Sequence, residues 1–395
     1  MREMSRRRAL SGFAGLTAAT LASAAATGCD AARANAPAAA AAPASSRRHP
    51  PGTLLWHAKA ARGADEPRIV VADGMVYVTG SGHNHGDSGT YVFDSKTGRL
   101  AWHIPGPRTF AAGSHAAFGF QVSNSDVTTV IAASAATGRT LWTHDAGHLL
   151  DDAKVGWLSY ANGLVYIAAG TTTDNTTGQP TVRALDARTG RRVWGTHVGV
   201  PLQEPAVANG RVYVTTTDRV VALNATTGAR LWESARVGAN LLPLAVVDGV
   251  VYGTAFGPLG GGAAPPAFGL DGATGHELWH AEVPGIPVTG TGGIALFESF
   301  VIGVTGNPGP TTLQARHARS GKLAWTHTFP AGAALAAAAG VLYVGTGTHG
   351  LLAIAAATGK TLWSYRLFAP GEDAGVFGGR VYVLDGNGVV YALQA

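Results

Sequence analysis

Eight tryptophans recur along this chain, at Trp56, Trp102, Trp142, Trp194, Trp232, Trp279, Trp325 and Trp363, in steps of 46, 40, 52, 38, 47, 46 and 38 residues. Five residues ahead of seven of them stands Thr-Gly or Ser-Gly, from Thr97-Gly98 to Thr358-Gly359, and Pro51-Gly52 holds the equivalent place before Trp56. A second element lies upstream, an apolar residue followed by tyrosine: Val76-Tyr77, Val165-Tyr166, Val212-Tyr213, Val251-Tyr252, Leu342-Tyr343 and Val381-Tyr382. A period of about 20–50 residues marks a solenoid, a propeller or an array. The repeat unit decides between them. Residues 203–234 read QEPAVANGRVYVTTTDRVVALNATTGARLWES. Four short runs rich in Val and aromatics are separated by turns at Asn209-Gly210, Thr217-Asp218 and Thr227-Gly228. That pattern specifies four strands, and no segment shows a helical period. Four antiparallel strands in a unit of this length form one blade of a β-propeller. Gly, at 55 of 395 residues, supplies the turns, and a charged fraction of only 13% excludes a disordered polyelectrolyte.

Counting the strands closes the ring. Lettering them A to D outward from the central channel, tryptophan marks strand D. The repeat region starts with an orphan strand D at 52–58 and ends with strands A, B and C at 374–379, 380–385 and 388–394. We therefore expect an all-β, single eight-bladed propeller over 52–395, in which the N-terminal strand completes the last blade. Closure leaves no blade without two neighbours, which an open ring could not achieve. At each C–D turn glycine tolerates a positive φ and leaves a bare peptide face. A tryptophan of the adjoining blade can lie on that face, with its indole N–H finding a carbonyl. The eight tryptophans are thus read as a structural girdle, each worth about 3–5 kcal/mol on truncation to alanine.

The chain ahead of the propeller has a different character. Seven of the 29 basic and two of the 24 acidic residues precede residue 52, leaving 22 of each in the propeller. A neutral disc offers no basic face for counterion release, so we expect no nucleic-acid partner. Met1–Arg8 is a positive stretch followed by an apolar run to Gly28, the layout of an export signal over residues 1–29. Arg6 and Arg7, within Ser-Arg-Arg-Arg-Ala-Leu, resemble the twin-arginine signal, with Ala9 in place of the usual Phe. Cys29, the only cysteine, ends Ala-Thr-Gly-Cys, which resembles a lipobox and marks Cys29 for acylation. Residues 30–51, rich in Ala and Pro, read as a tether. These features place the mature protein outside the cytoplasm, lipid-anchored to the cell membrane or secreted.

Function in a propeller concentrates in the loops entering the inner strands and in the B–C loops, which crowd the channel mouths. Asp151, Asp152, Lys154 and Trp157 stand out ahead of the inner strand of blade 3, and Trp157 is the one tryptophan outside the repeat. It can stack a planar or sugar ligand, or pack under a loop. Gln203 and Glu204, Glu372 and Asp373, and the group Arg62, Asp65, Glu66 and Arg68 occupy comparable loops and together would ring one mouth with mixed charge. That suits a protein or peptide better than a phosphate. His83, His85 and Asp87 have a metal-compatible spacing but sit in a Gly-rich turn, read as solvated, and no metal site is expected. The loops at 174–180 and 258–266 have no helix behind them to make a phosphate cradle.

The run Ala-Leu-Asp-Ala-x-Thr-Gly-x-x-x-Trp at Ala184–Trp194 resembles the repeat of the pyrroloquinoline quinone (PQQ) propellers, with close versions at Phe93–Trp102, Ala222–Trp232 and Gly269–Trp279. Ser134, His317 and Ala355 occupy the Asp position where the pattern weakens. The resemblance implies either of two kinds of protein. One is a quinone-dependent dehydrogenase of alcohols or sugars, with calcium and a vicinal disulfide over the quinone. The other is a propeller without quinone, as in the outer-membrane assembly lipoprotein and the sensor domains of some kinases. With a single cysteine in the signal and few long loops, we expect no cofactor and a non-catalytic, monomeric scaffold or sensor that binds an envelope protein or peptide. The PQQ- and calcium-dependent enzyme and a carbohydrate-binding propeller are the alternatives.

Overall fold

A computed structural model of the chain describes residues 49–395 apart from 61–64, 82–88, 106–107, 123–127, 147–156, 169–181, 200–202, 240, 256–265, 284, 303–307, 330–331 and 348–349. The export signal, Arg6, Arg7, Cys29 and most of the tether lie outside the described residues, as do Arg62, the His83–Asp87 turn, Asp151, Asp152 and Lys154. No helix among the described residues is long and apolar enough to cross a membrane.

The strands form eight four-stranded antiparallel sheets, seven of them meanders of consecutive strands. Blade 4 is typical, with strands Ala206–Ala208, Arg211–Thr215, Val220–Asn224 and Arg230–Glu233. Its turns are those expected from residues 203–234. Blade 8 consists of Gly371–Phe377, Arg380–Asp385, Val389–Gln394 and, as its outer strand, Leu54–Lys59 from the other end of the repeat region. Trp56 pairs with Ala392 and Lys59 with Val389, so the ring is closed as the strand count requires. The outer strand starts two residues later than its sequence pattern suggests, and the inner strand of blade 8 starts three residues earlier. Gly52 still occupies the place of the missing C–D turn, its N–H donating to the Gln394 carbonyl at 2.9 Å.

All eight A–B turns are two-residue hairpins with positive φ at both central positions, such as Asn209-Gly210 at 51° and 71°. This mirror-image turn matches the right-handed twist of the strands it joins. Ala339, at φ 49°, holds a position that Asn, Asp or Gly fills in most of the other blades. At the C–D turns the Asp94 carboxylate accepts from the Thr97 N–H and hydroxyl at 2.8 and 2.7 Å, and its carboxyl is held below its usual range first by the Thr97 hydroxyl. Where Ser134, His317 and Ala355 replace that acid, the glycine N–H four residues on still reaches the same backbone carbonyl at 2.8 Å. The backbone turn therefore survives without the carboxylate, and the weakened repeats fold alike.

The core lies between blades. Each repeat tryptophan covers the turn glycine of the next blade: Trp56 lies on Gly98, Trp102 on Gly138 and so on to Trp363 on Gly52, and a β-carbon built on these glycines would come 2.5–3.1 Å from the ring. Seven indole N–H groups donate to a carbonyl of that turn, from Trp56 to Ser95 at 3.0 Å to Trp325 to Ala356 at 2.7 Å. The apolar-Tyr repeat completes the same joint. Tyr166, Tyr213 and Tyr382 donate to the carbonyls of Ala225, Gly272 and Ser95, the very oxygens that take Trp194, Trp232 and Trp56. Blades 2 and 6 carry Phe118 and Leu296 at the tyrosine position, keeping the apolar contact without the hydroxyl.

Two substitutions test this account by urea denaturation. Gly98→Ala, at φ 71° with Trp56 Cε3 2.5 Å from the new methyl, is expected to cost about 2–4 kcal/mol. Ala339→Gly relieves a left-handed alanine and is expected to add about 0.5–1 kcal/mol. A neutral Gly98→Ala would mean that the indole does not pack on the turn.

Candidate functional site

Every blade runs in the same sense, so the inner strands all enter from one face of the disc, the face that also carries the D–A and B–C loops. The candidate residues ahead of inner strands therefore share a mouth. Arg68 lies near the start of the blade 1 inner strand Asp65–Ala72, and Asp373 near the start of Gly371–Phe377 in blade 8. Gln203 and Glu204 immediately precede the inner strand of blade 4, and Trp157 is the first residue of the blade 3 inner strand Trp157–Ala161. Both the Arg68 and the Asp373 segments carry an irregularity in their pairing, between Asp65 and Arg68 and between Gly371 and Asp373. A bulge re-aims the side chains beside it, and such irregularities gather next to functional sites.

Arg68 reaches from blade 1 to blade 4, where its Nη1 lies 4.0 Å from Glu204 Oε2. Blades 1 and 4 are not neighbours, so this ion pair spans the channel. Both side chains are largely buried, at 24% and 10% exposure. Asp373 ties blade 8 to blade 1, its Oδ2 accepting from the Ile69 N–H at 2.9 Å while Oδ1 accepts from the Ala374 N–H at 2.8 Å. On the other flank the Ser159 hydroxyl donates to the Pro205 carbonyl at 2.7 Å, holding blade 3 against the segment that bears Glu204. Two buried carboxyls thus lie in the field of one guanidinium, which pairs with Glu204.

Asp373 uses both oxygens within the fold. Glu204 does not: among the described residues its Oε1 is buried and has no hydrogen-bond partner. Burial pushes the Glu204 carboxyl up to about 7, against the opposing pull of Arg68. Burial likewise pushes Asp373 up to about 6, against the Ile69 N–H and Arg68. Glu372 is exposed as a residue, yet its carboxyl is raised, first by desolvation and then by the Asp385 carboxylate. Asp385 is itself fully buried, accepting from the Asn387 and Val389 N–H groups and from the Tyr391 hydroxyl. That makes it a brace for the last B–C turn.

The structure thus brings together Arg68, Glu204 and Asp373, with Gln203, Glu372 and a half-buried Trp157 at the same mouth. The backbone of Asp65 and Glu66 belongs to the same inner strand as Arg68. Among the described residues no group of three or more His, Cys, Asp or Glu side chains is arranged to hold a metal ion. The cross-channel contact was not legible in sequence, because the loop motifs name the mouth but not which side chains meet across it. The signal available was a charged residue just ahead of an inner strand in an otherwise charge-poor chain.

An acid whose pKa rises on folding keeps protons that the unfolded chain has released. Stability from Glu204 is therefore complete below its unfolded value of 4.5 and is lost as pH climbs through about 7. We expect Glu204→Gln to flatten the decline in folding stability between pH ~5 and ~8 by an amount on the order of 3 kcal/mol. Urea titrations across that window decide it, and identical slopes in wild type and variant would remove Glu204 as the cause.

Similarity to known proteins agrees with the propeller fold. A tetrathionate hydrolase of Acidithiobacillus ferrooxidans is 26% identical over 371 residues, 79% of this chain and 69% of that protein. The BamB structure from Moraxella catarrhalis superposes with a TM-score of 0.58 at 17% identity, covering 87% of this chain and 97% of the other. The quinohemoprotein alcohol dehydrogenase of Comamonas testosteroni superposes at 0.57 with 16% identity, over 86% of this chain and 76% of that one. At such identities the two structures report the shared fold. A PQQ-repeat family profile, described as outer membrane protein assembly factor BamB, matches residues 124–293 and 311–395, and the chain therefore belongs to the BamB-like family of PQQ-repeat propellers.

Proposed function

We propose that the chain is an exported, membrane-tethered propeller that acts without catalysis, as a scaffold or sensor whose channel mouth binds a protein or peptide of the cell envelope. The observation that carries this reading is the convergence of Arg68, Glu204 and Asp373 from blades 1, 4 and 8 on one mouth. Loops on a rigid frame, presenting buried charge of both signs, suit recognition of a polar partner. Membership in a family described by an assembly factor supports it. The twin arginines Arg6 and Arg7 would direct export, and acylated Cys29 would hold the disc to the membrane by the flexible tether.

The quinone alternative meets a mismatch of charge. PQQ is a tricarboxylate, so a site for it must supply cations. The described part of this mouth supplies two buried carboxyls and one guanidinium, which Glu204 already engages. The single cysteine, Cys29, precedes the propeller, so no vicinal disulfide can lie over a ring. These residues do not fit the group, and no step is assigned to it. The tetrathionate hydrolase has about a quarter of its aligned residues in common with this chain, which supports a common scaffold and leaves its reaction unassigned here.

Two experiments test the reading. Cys29→Ala is expected to move the protein from the membrane fraction to the soluble exported fraction, and unchanged fractionation would exclude the anchor. Titration of the purified propeller with PQQ and calcium should leave tryptophan fluorescence unchanged and give no dye reduction with alcohols or sugars. Saturable quinone binding with dye reduction would replace the scaffold with a dehydrogenase.

A further inference from the structure

We infer that the face carrying the A–B and C–D turns is a docking surface for the anionic lipid surface of the membrane, so that the disc lies turn-face down and holds its channel mouth away from the bilayer. The inference rests on the tethered-scaffold reading above and assigns its orientation. The propeller is neutral as a whole, but the fold sorts its charges. Counted over seven residues from the capping position, the seven C–D turns hold ten of the propeller's 22 Arg and Lys residues against four acids. All ten basic residues are exposed. Asp94, Asp186 and Asp271 are half-buried and accept from turn N–H groups, which leaves Glu277 as the exposed acid of these turns. The A–B turns add only the acids Asp73 and Asp248. Every residue of these turns is described.

The cations are placed alike. Arg99, Arg139, Arg191, Lys322 and Lys360 each follow the turn glycine directly. Among the described residues these five side chains have no hydrogen bond or ion pair, whereas Arg230 and Arg319 engage Glu233 and Asp271. Charges that only solubilise a surface are mixed in sign, but one sign repeated at one height around a disc gives a field that adds over the whole face. Apolar side chains accompany it. Of the seven exposed large apolar side chains among the described residues, six, from Leu100 to Leu362, stand two or three residues after a turn glycine. Each lies within two residues of an Arg or Lys. Cations for lipid phosphates and apolar groups for the acyl boundary are the two components of an interfacial membrane contact. A nucleic acid would use only the first. The covalent path of the chain agrees with the charge: Gly52 fills the missing C–D turn of blade 8, so the segment arriving from Cys29 joins the disc on this face. Arg47 and Arg48 stand just ahead of that junction. A tether that ends here lets the disc settle on the membrane without turning over.

The test uses the mature chain from residue 29 with Cys29→Ala, which carries no acyl group, in flotation with lipid vesicles. Phosphatidylcholine vesicles with about one-third phosphatidylglycerol should bind it at ~50 mM salt at least tenfold more tightly than phosphatidylcholine alone, and the binding should fall at least tenfold at ~300 mM. Arg99→Gln, Arg139→Gln, Lys322→Gln and Lys360→Gln combined should weaken it at least tenfold, and an unchanged urea midpoint reports that the variant folds. A polarity-sensitive label at Ala136→Cys, in a C–D turn, should shift to the blue on the acidic vesicles, and one at Lys59→Cys, at the other end of an outer strand, should not. Equal binding to the two vesicles, an unaffected fourfold variant, or a blue shift at Lys59→Cys alone overturns the proposal. Binding to a DNA duplex as tight as to the acidic vesicles also overturns it, by making the ligand a nucleic acid. The anchor is scored separately, by fractionating membranes after a wash at ~300 mM salt. Cys29→Ala that is released by the wash and binds no vesicle keeps the anchor and dismisses the docking face. Vesicle binding by Cys29→Ala, with wild type washed off as readily as the variant, keeps the face and dismisses the anchor.

Discussion

The ring depends on one joint repeated eight times: an indole laid over a glycine turn of the next blade. The turn must have no side chain there, because a β-carbon would collide with the ring. In seven of the eight joints the turn also presents a carbonyl to the indole, because a buried indole N–H needs an acceptor. Both demands are met by the residue sequence of the C–D turn, and the tyrosine of the second strand often shares the same carbonyl. Aromatic burial holds each blade to the next, and the indole N–H bonds fix where each ring sits.

Rigidity at the rim has a consequence at the hub. Inner strands are held in place by joints outside them, so their entry loops can carry charge that a less braced core would reject. Arg68, Glu204 and Asp373 are largely buried ionisable groups from three blades, and burial raises both carboxyls, the direction expected where a charge is held out of water. Such costs persist where the surrounding fold outweighs them, and they collect at functional sites. Asp385 offers the contrast. It is just as buried, but three donors satisfy it and it serves only its own turn.

A second contrast separates the two faces of the disc. The face of the A–B and C–D turns is regular: two-residue hairpins and glycine turns recur with little variation, even where the capping aspartate is lost. In the sequence, the segments that join strands on the opposite face, such as 169–181 and 256–265, differ from blade to blade in length. Loops that vary on a constant frame are where binding usually lies.

The architecture was legible in the residues themselves. Trp and Thr-Gly spacing, the apolar-Tyr pair and the orphan first strand determine eight blades and the closure between Leu54–Lys59 and Val389–Gln394, because each signal acts through local turns or nearest neighbours. The same locality explains what the pattern could not reveal. Which tyrosines share a carbonyl with a tryptophan depends on neighbouring blades, and the Arg68–Glu204 pair depends on the bore of the closed ring. Contacts between residues so distant in the chain leave no periodic trace. They exist only once closure has set the channel width, so sequence named the mouth and tertiary structure chose the charges that meet there.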